Sequence, residues 1–96
     1  MLNKWLVDEA ARIMRDCGLN ATIVERRGHL GIGVRRVLPV EDHPRFVFFP
    51  GTNCWEGTTD GAPAVLWTDV RSDEDNPTQL ARGVFAALTR FAQNQI

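Results

Sequence analysis

This sequence contains few of the residues from which specialised protein sites are most often built. In 96 residues it has two cysteines, two histidines and no tyrosine. Two cysteines do not make the disulfide framework of a small secreted domain, so we expect a reducing, cytoplasmic location. The cysteines and histidines also lack the spacing of metal ligands, and the glycines do not form a nucleotide-binding motif. We therefore expect neither a metal site nor a cofactor.

Long hydrophobic runs are absent as well. An apolar segment such as Phe46–Phe49 has the length of a strand, whereas a membrane-spanning helix needs about 18–20 apolar residues. The first turns contain Lys4, Asp8 and Glu9, which a secretion signal would not carry there. These absences predict a protein with no membrane partner.

What the sequence does contain is typical of one globular unit. Hydrophobic residues make up 44% of it and charged residues 24%, which is ordinary usage for a folded domain. A chain of this length usually forms one domain, so we predict a single domain over residues 1–96.

The small net charge of −1 conceals an uneven distribution. Residues 1–40 carry seven basic and four acidic side chains, whereas residues 41–76 carry two basic and eight acidic ones. The sequence therefore predicts a molecule with a basic region early in the chain and acidic loops later.

Apolar residues near the start recur at three- and four-residue steps, which predicts an amphipathic first helix. Its buried stripe consists of Leu2, Leu6, Ala10, Ile13, Met14 and Cys17. Asn3 is the predicted N-cap. Gly18 should end the helix, because glycine readily adopts the left-handed conformation of that position, and Leu19 can then contact Met14.

A β-hairpin is predicted next, with strands at 21–27 and 30–37. Gly28 and His29 form its loop, and a two-residue loop with glycine first is typical of a type II′ turn. This turn would pair Arg27 with Leu30. One face of the hairpin should meet the helices, and the other should be flat and open to solvent or to a partner. That open face carries Thr22, Val24, Arg26, Gly31, Gly33 and Arg35.

The rest of the chain predicts two more strands, at 45–49 and 63–70, with a long loop at 51–62 between them. A second helix should begin at Asn76 as N-cap, with Pro77 in the first helical position and Gln79 reaching back in a capping box. Its apolar stripe consists of Leu80, Ala81, Val84, Phe85, Leu88, Phe91 and Ala92. The predicted fold is α+β and two-layered: helix, four antiparallel strands, helix, with both helices on one face of the sheet.

Enzyme chemistry is not expected, because the sequence offers no convergent catalytic groups. His29 is predicted at the tip of a turn, where a general base is poorly held. A Cys54–His43 pair is allowed by spacing, but no other feature supports it. The acidic residues at 73–75 precede a helix, where they also stabilise its positive end.

Binding to a protein partner is the predicted function. Arginine and tryptophan are enriched at interface hot spots, and a long loop in a small domain is often functional. An alternative for Trp55 is that it folds back over the end of the sheet. Of the other tryptophans, Trp5 is off the helical stripe, and Trp67 alternates along its strand with Val65 and Asp69. The candidate binding residues are Arg26, Arg35, Trp55, Glu56, Asp73, Glu74 and Asp75.

The partner could belong to several classes. By analogy of size and charge alone, small phage-encoded inhibitors of host defence and small phage assembly proteins have this profile. A free strand edge would also allow a homodimer.

Nucleic-acid binding is the alternative function. Arg26, Arg27, Arg35 and Arg36 flank the predicted hairpin and could contact a phosphate backbone. The order of helix, strands and helix is similar to that of double-stranded-RNA-binding domains. This chain departs from them in having four predicted strands and no lysine-rich start to its last helix.

Overall fold

The computed structural model describes residues 4–36, 45–59 and 62–93. In this part the chain forms two helices and five strands, in the order helix, strands, helix. Their bounds are α1 Lys4–Asp16, β1 Leu19–Arg26, β2 His29–Arg36, β3 Phe46–Pro50, β4 Cys54–Thr59, β5 Ala62–Arg71 and α2 Pro77–Gln93. Neither described helix has the length and apolar character needed to cross a membrane.

The strands form one antiparallel sheet in which each strand pairs with its neighbours in sequence. The α+β class, the antiparallel sheet and the helix at each end are confirmed. The count of four strands was wrong, because β4 lies inside the segment predicted as a loop. The sheet order places β1 and β5 at the two edges.

β4 is difficult to predict from the sequence, because its residues do not alternate regularly between apolar and polar. Trp55 and Gly57 are buried on one side of this strand, and a glycine contributes no apolar side chain to the pattern. The ring of Phe48 fills the place beside Gly57, so that an added Cβ would overlap it. A glycine that would usually weaken a strand is here the residue that lets a phenylalanine pack against it.

The β1–β2 turn differs from the predicted one. Its two loop residues are Arg27 and Gly28, with φ angles of 51° and 80°, and Arg26 pairs with His29. Two positive φ angles define a type I′ turn rather than type II′. The pairing is therefore shifted by two residues from the predicted one. Because side chains alternate with a period of two, this shift leaves every residue on its predicted face.

Each of the five strands has buried side chains on one face of the sheet, which we call the core face. They form a single cluster with the buried side chains of both helices. Helix α1 contacts β1, β2 and α2, while α2 also contacts β5. The rings of Phe46 and Phe91 meet edge to face, with centroids 5.0 Å apart. The largest fully buried side chains are Phe46, Phe48, Met14, Ile32, Leu80, Val34, Val47 and Val84.

The helix ends follow the predicted chemistry in most respects. Gly18 has a φ of 90° and ends α1, and Leu19 is buried. Asn76 caps α2, since its Oδ1 accepts hydrogen bonds from the backbone N–H groups of Thr78 and Gln79 at 2.9 and 3.4 Å. The backbone N–H of Asn76 donates to Glu74 at 3.3 Å, in the role predicted for Gln79. The predicted N-cap Asn3 lies outside the described residues.

Two residues of the predicted helical stripes are exposed instead. Cys17 lies just beyond the end of α1 and is exposed as a free thiol, and Phe85 is 43% exposed. The buried face of α1 includes Val7 and Ala11, which the predicted stripe did not contain.

Candidate partner-binding surfaces

The residues available for catalysis do not converge in the described part of the chain. His29 is exposed at the start of β2, and Cys54 is half-buried at the start of β4. His43 lies outside the described residues. Within the described ranges no three cysteine, histidine or acidic side chains are grouped so that they could hold a metal ion.

Trp55 is buried in the core, not exposed in a loop. Its relative exposure is 2%, so its side chain lies beneath the surface that a partner would meet. Opposite Trp55 the β4–β5 register shifts, because Cys54 pairs with Arg71 and Glu56 with Trp67. Between these two pairs β4 has one residue and β5 has three, so the bulge lies in β5. Trp55 keeps the alternation of β4 and shares the core face with Gly57.

The bulge is held by a buried hydroxyl. Thr68 donates a hydrogen bond to the carbonyl of Trp55 at 2.9 Å and accepts one from the N–H of Val70 at 3.2 Å. The indole Nε1 of Trp55, by contrast, is buried without a hydrogen-bond partner among the described residues.

The acidic loop lies at the same end of the sheet as Trp55. Asp73, Glu74 and Asp75 line a cavity of about 250 Å³ together with Trp55 and His29. Asp73 is also held by Arg71, whose Nε lies 3.1 Å from its Oδ1. The structure thus brings four of the seven predicted binding residues to one cavity, although Trp55 contributes only a wall.

The reverse face of the sheet, opposite the core face, is not the bare surface that its glycines suggested. The ring of Phe49 lies over Gly31, and the guanidinium of Arg45 lies over Gly33. Arg45 also reaches Thr22, with Nη2 3.4 Å from Oγ1. The two glycines therefore make room for a side chain of the adjacent strand β3 and for that of Arg45, the residue before it. Val47 on the same face is only 1% exposed.

The arginines of the hairpin do not converge. Arg26 lies beside the turn and its guanidinium carbon is 5.8 Å from the centroid of the Phe49 ring. Arg35 is exposed six residues along β2 from His29, the residue that pairs with Arg26. At about 3.3 Å per residue, this separates the two arginines by roughly 20 Å. Arg27 sits at the turn tip, and the side chain of Arg36 is not described.

The most exposed apolar surface of the sheet lies at β5. Trp67 is 58% exposed and Val65 is 45% exposed. They lie opposite Glu56 and Thr58 of β4. We call these four residues the β4–β5 patch. Of the seven predicted binding residues, only the half-buried Glu56 belongs to it.

The backbone beneath this patch is fixed from two directions. Arg90 of α2 donates a hydrogen bond to the carbonyl of Trp67 at 3.0 Å. The next residue, Thr68, holds the bulge from the core side. A rigid backbone lowers the entropy cost of binding, because the contact side chain is already placed.

Trp67 could have been identified from the sequence. It shares a strand face with Val65 and Asp69, whereas Leu66 and Val70 alternate with them. Since one face of an edge strand meets the core, either the Trp67 face or the Leu66 face had to be the outer one. The sequence left this open, and the pairing of Leu66 with the buried Gly57 and of Trp67 with Glu56 answers it.

The charged side chains that pair on α1 form a local surface network. The pKa of Arg12 is raised by its hydrogen bond to Glu9 and by the charges of Glu9 and Asp16. Its guanidinium lies 2.8 Å from Glu9 and 3.0 Å from Asp16. Exposed pairs of this kind contribute little to stability, and this network is remote from the β4–β5 patch in the sequence.

A comparison of the chain with protein-family models, with curated proteins and with solved structures found no match.

Proposed function

We propose that this chain is a small non-catalytic binding protein that acts through a protein partner. In this proposal the molecule has two layers, with both helices on the core face, so that the reverse face remains for contact. The β4–β5 patch is the centre of that contact.

The exposure of Trp67 is the observation that carries this proposal. A tryptophan that is 58% exposed on a strand has a large apolar area in water, and tryptophan is the residue type most enriched at interface hot spots. Val65 beside it enlarges the apolar area, while Glu56 and Thr58 supply polar groups around it. This is the composition of a small contact centre with a polar margin.

The acidic loop and the hairpin arginines play secondary roles in the proposal. Asp73, Glu74 and Asp75 would steer a basic partner by long-range attraction, and Arg26 and Arg35 would add polar contacts at the margin. An inhibitor or an assembly factor of the phage type, working in a cytoplasm, is the finer form of this proposal. Its support is analogy of size and charge alone.

The test compares two tryptophans of equal exposure. Wild-type protein, Trp67→Ala and Trp5→Ala are immobilised and used to capture proteins from a nuclease-treated lysate of the source organism. Trp5 is 60% exposed on α1 and is therefore the matched control. We expect a partner that is retained by wild type and Trp5→Ala and lost by Trp67→Ala.

The captured partner is then purified and its affinity measured by calorimetry. Trp67→Ala should weaken the affinity by about 30-fold or more, which corresponds to the ~2 kcal/mol of a hot-spot residue. Identical capture by all three proteins would contradict the proposal. So would a partner that is captured only from a parallel lysate without nuclease treatment, which would favour the alternative function.

A further inference from the structure

The β1 edge carries backbone groups that are not paired with another strand. Which groups these are follows from the geometry of the β1–β2 turn. In a two-residue hairpin the residues that flank the loop, here Arg26 and His29, exchange both of their backbone hydrogen bonds. Along β1 the direction of these bonds alternates. The N–H and C=O groups of Ala21, Ile23 and Glu25 therefore point away from β2, toward the free edge of the sheet.

A contact from α1 agrees with this assignment. Nη1 of Arg15 donates a hydrogen bond to the carbonyl of Ala21 at 3.0 Å, which places the guanidinium at the free edge. Beyond this point the edge is exposed: Ile23 is 37% exposed and Glu25 is exposed. The segment Thr22–Val24 consists of β-branched residues, which favour strand pairing.

We propose that a second copy of this chain pairs with the β1 edge in antiparallel orientation. The register places Ile23 opposite Ile23 of the second copy, and Ala21 opposite Glu25 of the second copy. Every edge N–H of Ala21, Ile23 and Glu25 then faces a carbonyl of the other copy. A two-fold axis through the Ile23 pair keeps the core faces of both sheets on the same side.

Charge complementarity supports this register, and it supports a second copy of the chain as the partner. The side chain of Glu25 shares a sheet face with Ala21, and pairing brings its carboxylate beside Arg15 of the other copy. Arg15 then moves from the Ala21 carbonyl to this carboxylate, and the Glu25 N–H takes its place on the carbonyl. Symmetry gives two such ion pairs for each dimer. In the described part of the single chain Glu25 has no ion-pair or hydrogen-bond partner.

This interaction does not rest on the proposed function, because the β4–β5 patch lies at the opposite edge of the sheet. Pairing of one strand from each copy forms a small interface compared with the ~1,200–2,000 Å² of accessible surface that stable complexes bury. We therefore expect a dimer that dissociates on dilution, with a Kd in the micromolar range or weaker, as ~1 μM already requires about 8 kcal/mol.

The test uses two charge reversals that complement each other. Glu25→Arg places like charges together in its own homodimer, and so does Arg15→Glu. A mixture of the two variants restores both ion pairs in the heterodimer. Mass is measured by sedimentation and by light scattering over a concentration series, with circular dichroism as the check on folding. One chain has a mass of 10.8 kDa, so the dimer is recognised by twice that value.

We expect wild type to dimerise, each single variant to associate about tenfold more weakly or worse, and the mixture to recover the wild-type association. Matched reversals elsewhere, Asp69→Arg and Arg82→Glu, should associate as wild type does. Wild type that stays monomeric to millimolar concentration would overturn the proposal. So would single variants that dimerise like wild type, or a mixture that does not recover.

Discussion

At the scale of single residues, the two sheet tryptophans are distinguished by the strand face on which they lie. Trp55 is 2% exposed and Trp67 is 58% exposed, although both lie in adjacent strands. Both tryptophans were considered in the sequence, but Trp55, the buried one, was proposed as the binding residue. Trp55 was assigned to a loop, so no alternation could be applied to it. Alternation along β4 and its pairing with β5 decide which face each tryptophan occupies, and neither could be applied once residues 51–62 had been predicted as a loop.

The burial of Trp55 makes a quantitative prediction. Trp55→Ala removes a large buried side chain and should lower the free energy of unfolding by about 3–5 kcal/mol. Trp67→Ala removes an exposed side chain of the same type and should change it by less than ~0.5 kcal/mol. Urea denaturation followed by circular dichroism measures both. Equal losses for the two variants would show that Trp67 is part of the core.

At the scale of elements, the β1–β2 hairpin shows why an incorrectly predicted turn can still give correctly predicted strand faces. The predicted loop was Gly28 and His29, and the observed loop is Arg27 and Gly28. The error arose because arginine is an uncommon residue at positive φ, so the glycine was placed first. The resulting shift by two residues preserved both faces. A shift by one residue would have turned all the side chains of one of the two strands to the opposite face.

The same turn predicts a stabilising substitution. Arg27 has a φ of 51°, where a side chain other than glycine or asparagine costs about 1–2 kcal/mol. Arg27→Asn creates the Asn-Gly pair that type I′ turns prefer. It should raise the free energy of unfolding by up to ~1 kcal/mol, measured by thermal and urea unfolding. Arg26→Asn, in the adjacent paired position, is the control and should bring no gain.

At the scale of the whole molecule, the sequence predicted the α+β class and the antiparallel sheet but not the locations of contact. The helix periodicities and the caps at Gly18 and Asn76 are local signals, and these were confirmed. The filling of Gly31 by Phe49 depends on which strands are neighbours. That is long-range information, which no short segment carries.

The spread of the arginines predicts weak binding to nucleic acid. A roughly 20 Å separation of Arg26 and Arg35 and the acidic loop at 73–75 limit the number of simultaneous phosphate contacts. We expect a slope of log K against log salt no steeper than about −2, since each contact contributes about −0.9. Fluorescence anisotropy with duplex DNA and RNA, from about 50 to about 200 mM salt, gives this slope. A slope of about −4 that becomes shallower in Arg35→Ala would favour the nucleic-acid function instead.

Both outer strands are contacted by an arginine from a helix: Arg15 reaches the backbone of β1 and Arg90 that of β5. At β5 the limit on growth of the sheet is thus set by a side chain that is correctly placed only while α2 is docked. If α2 detaches, the Trp67 carbonyl loses its donor at the moment when apolar core surface opens. Partial unfolding and the onset of aggregation should therefore be one event in this protein, and ligands that hold α2 in place should suppress both.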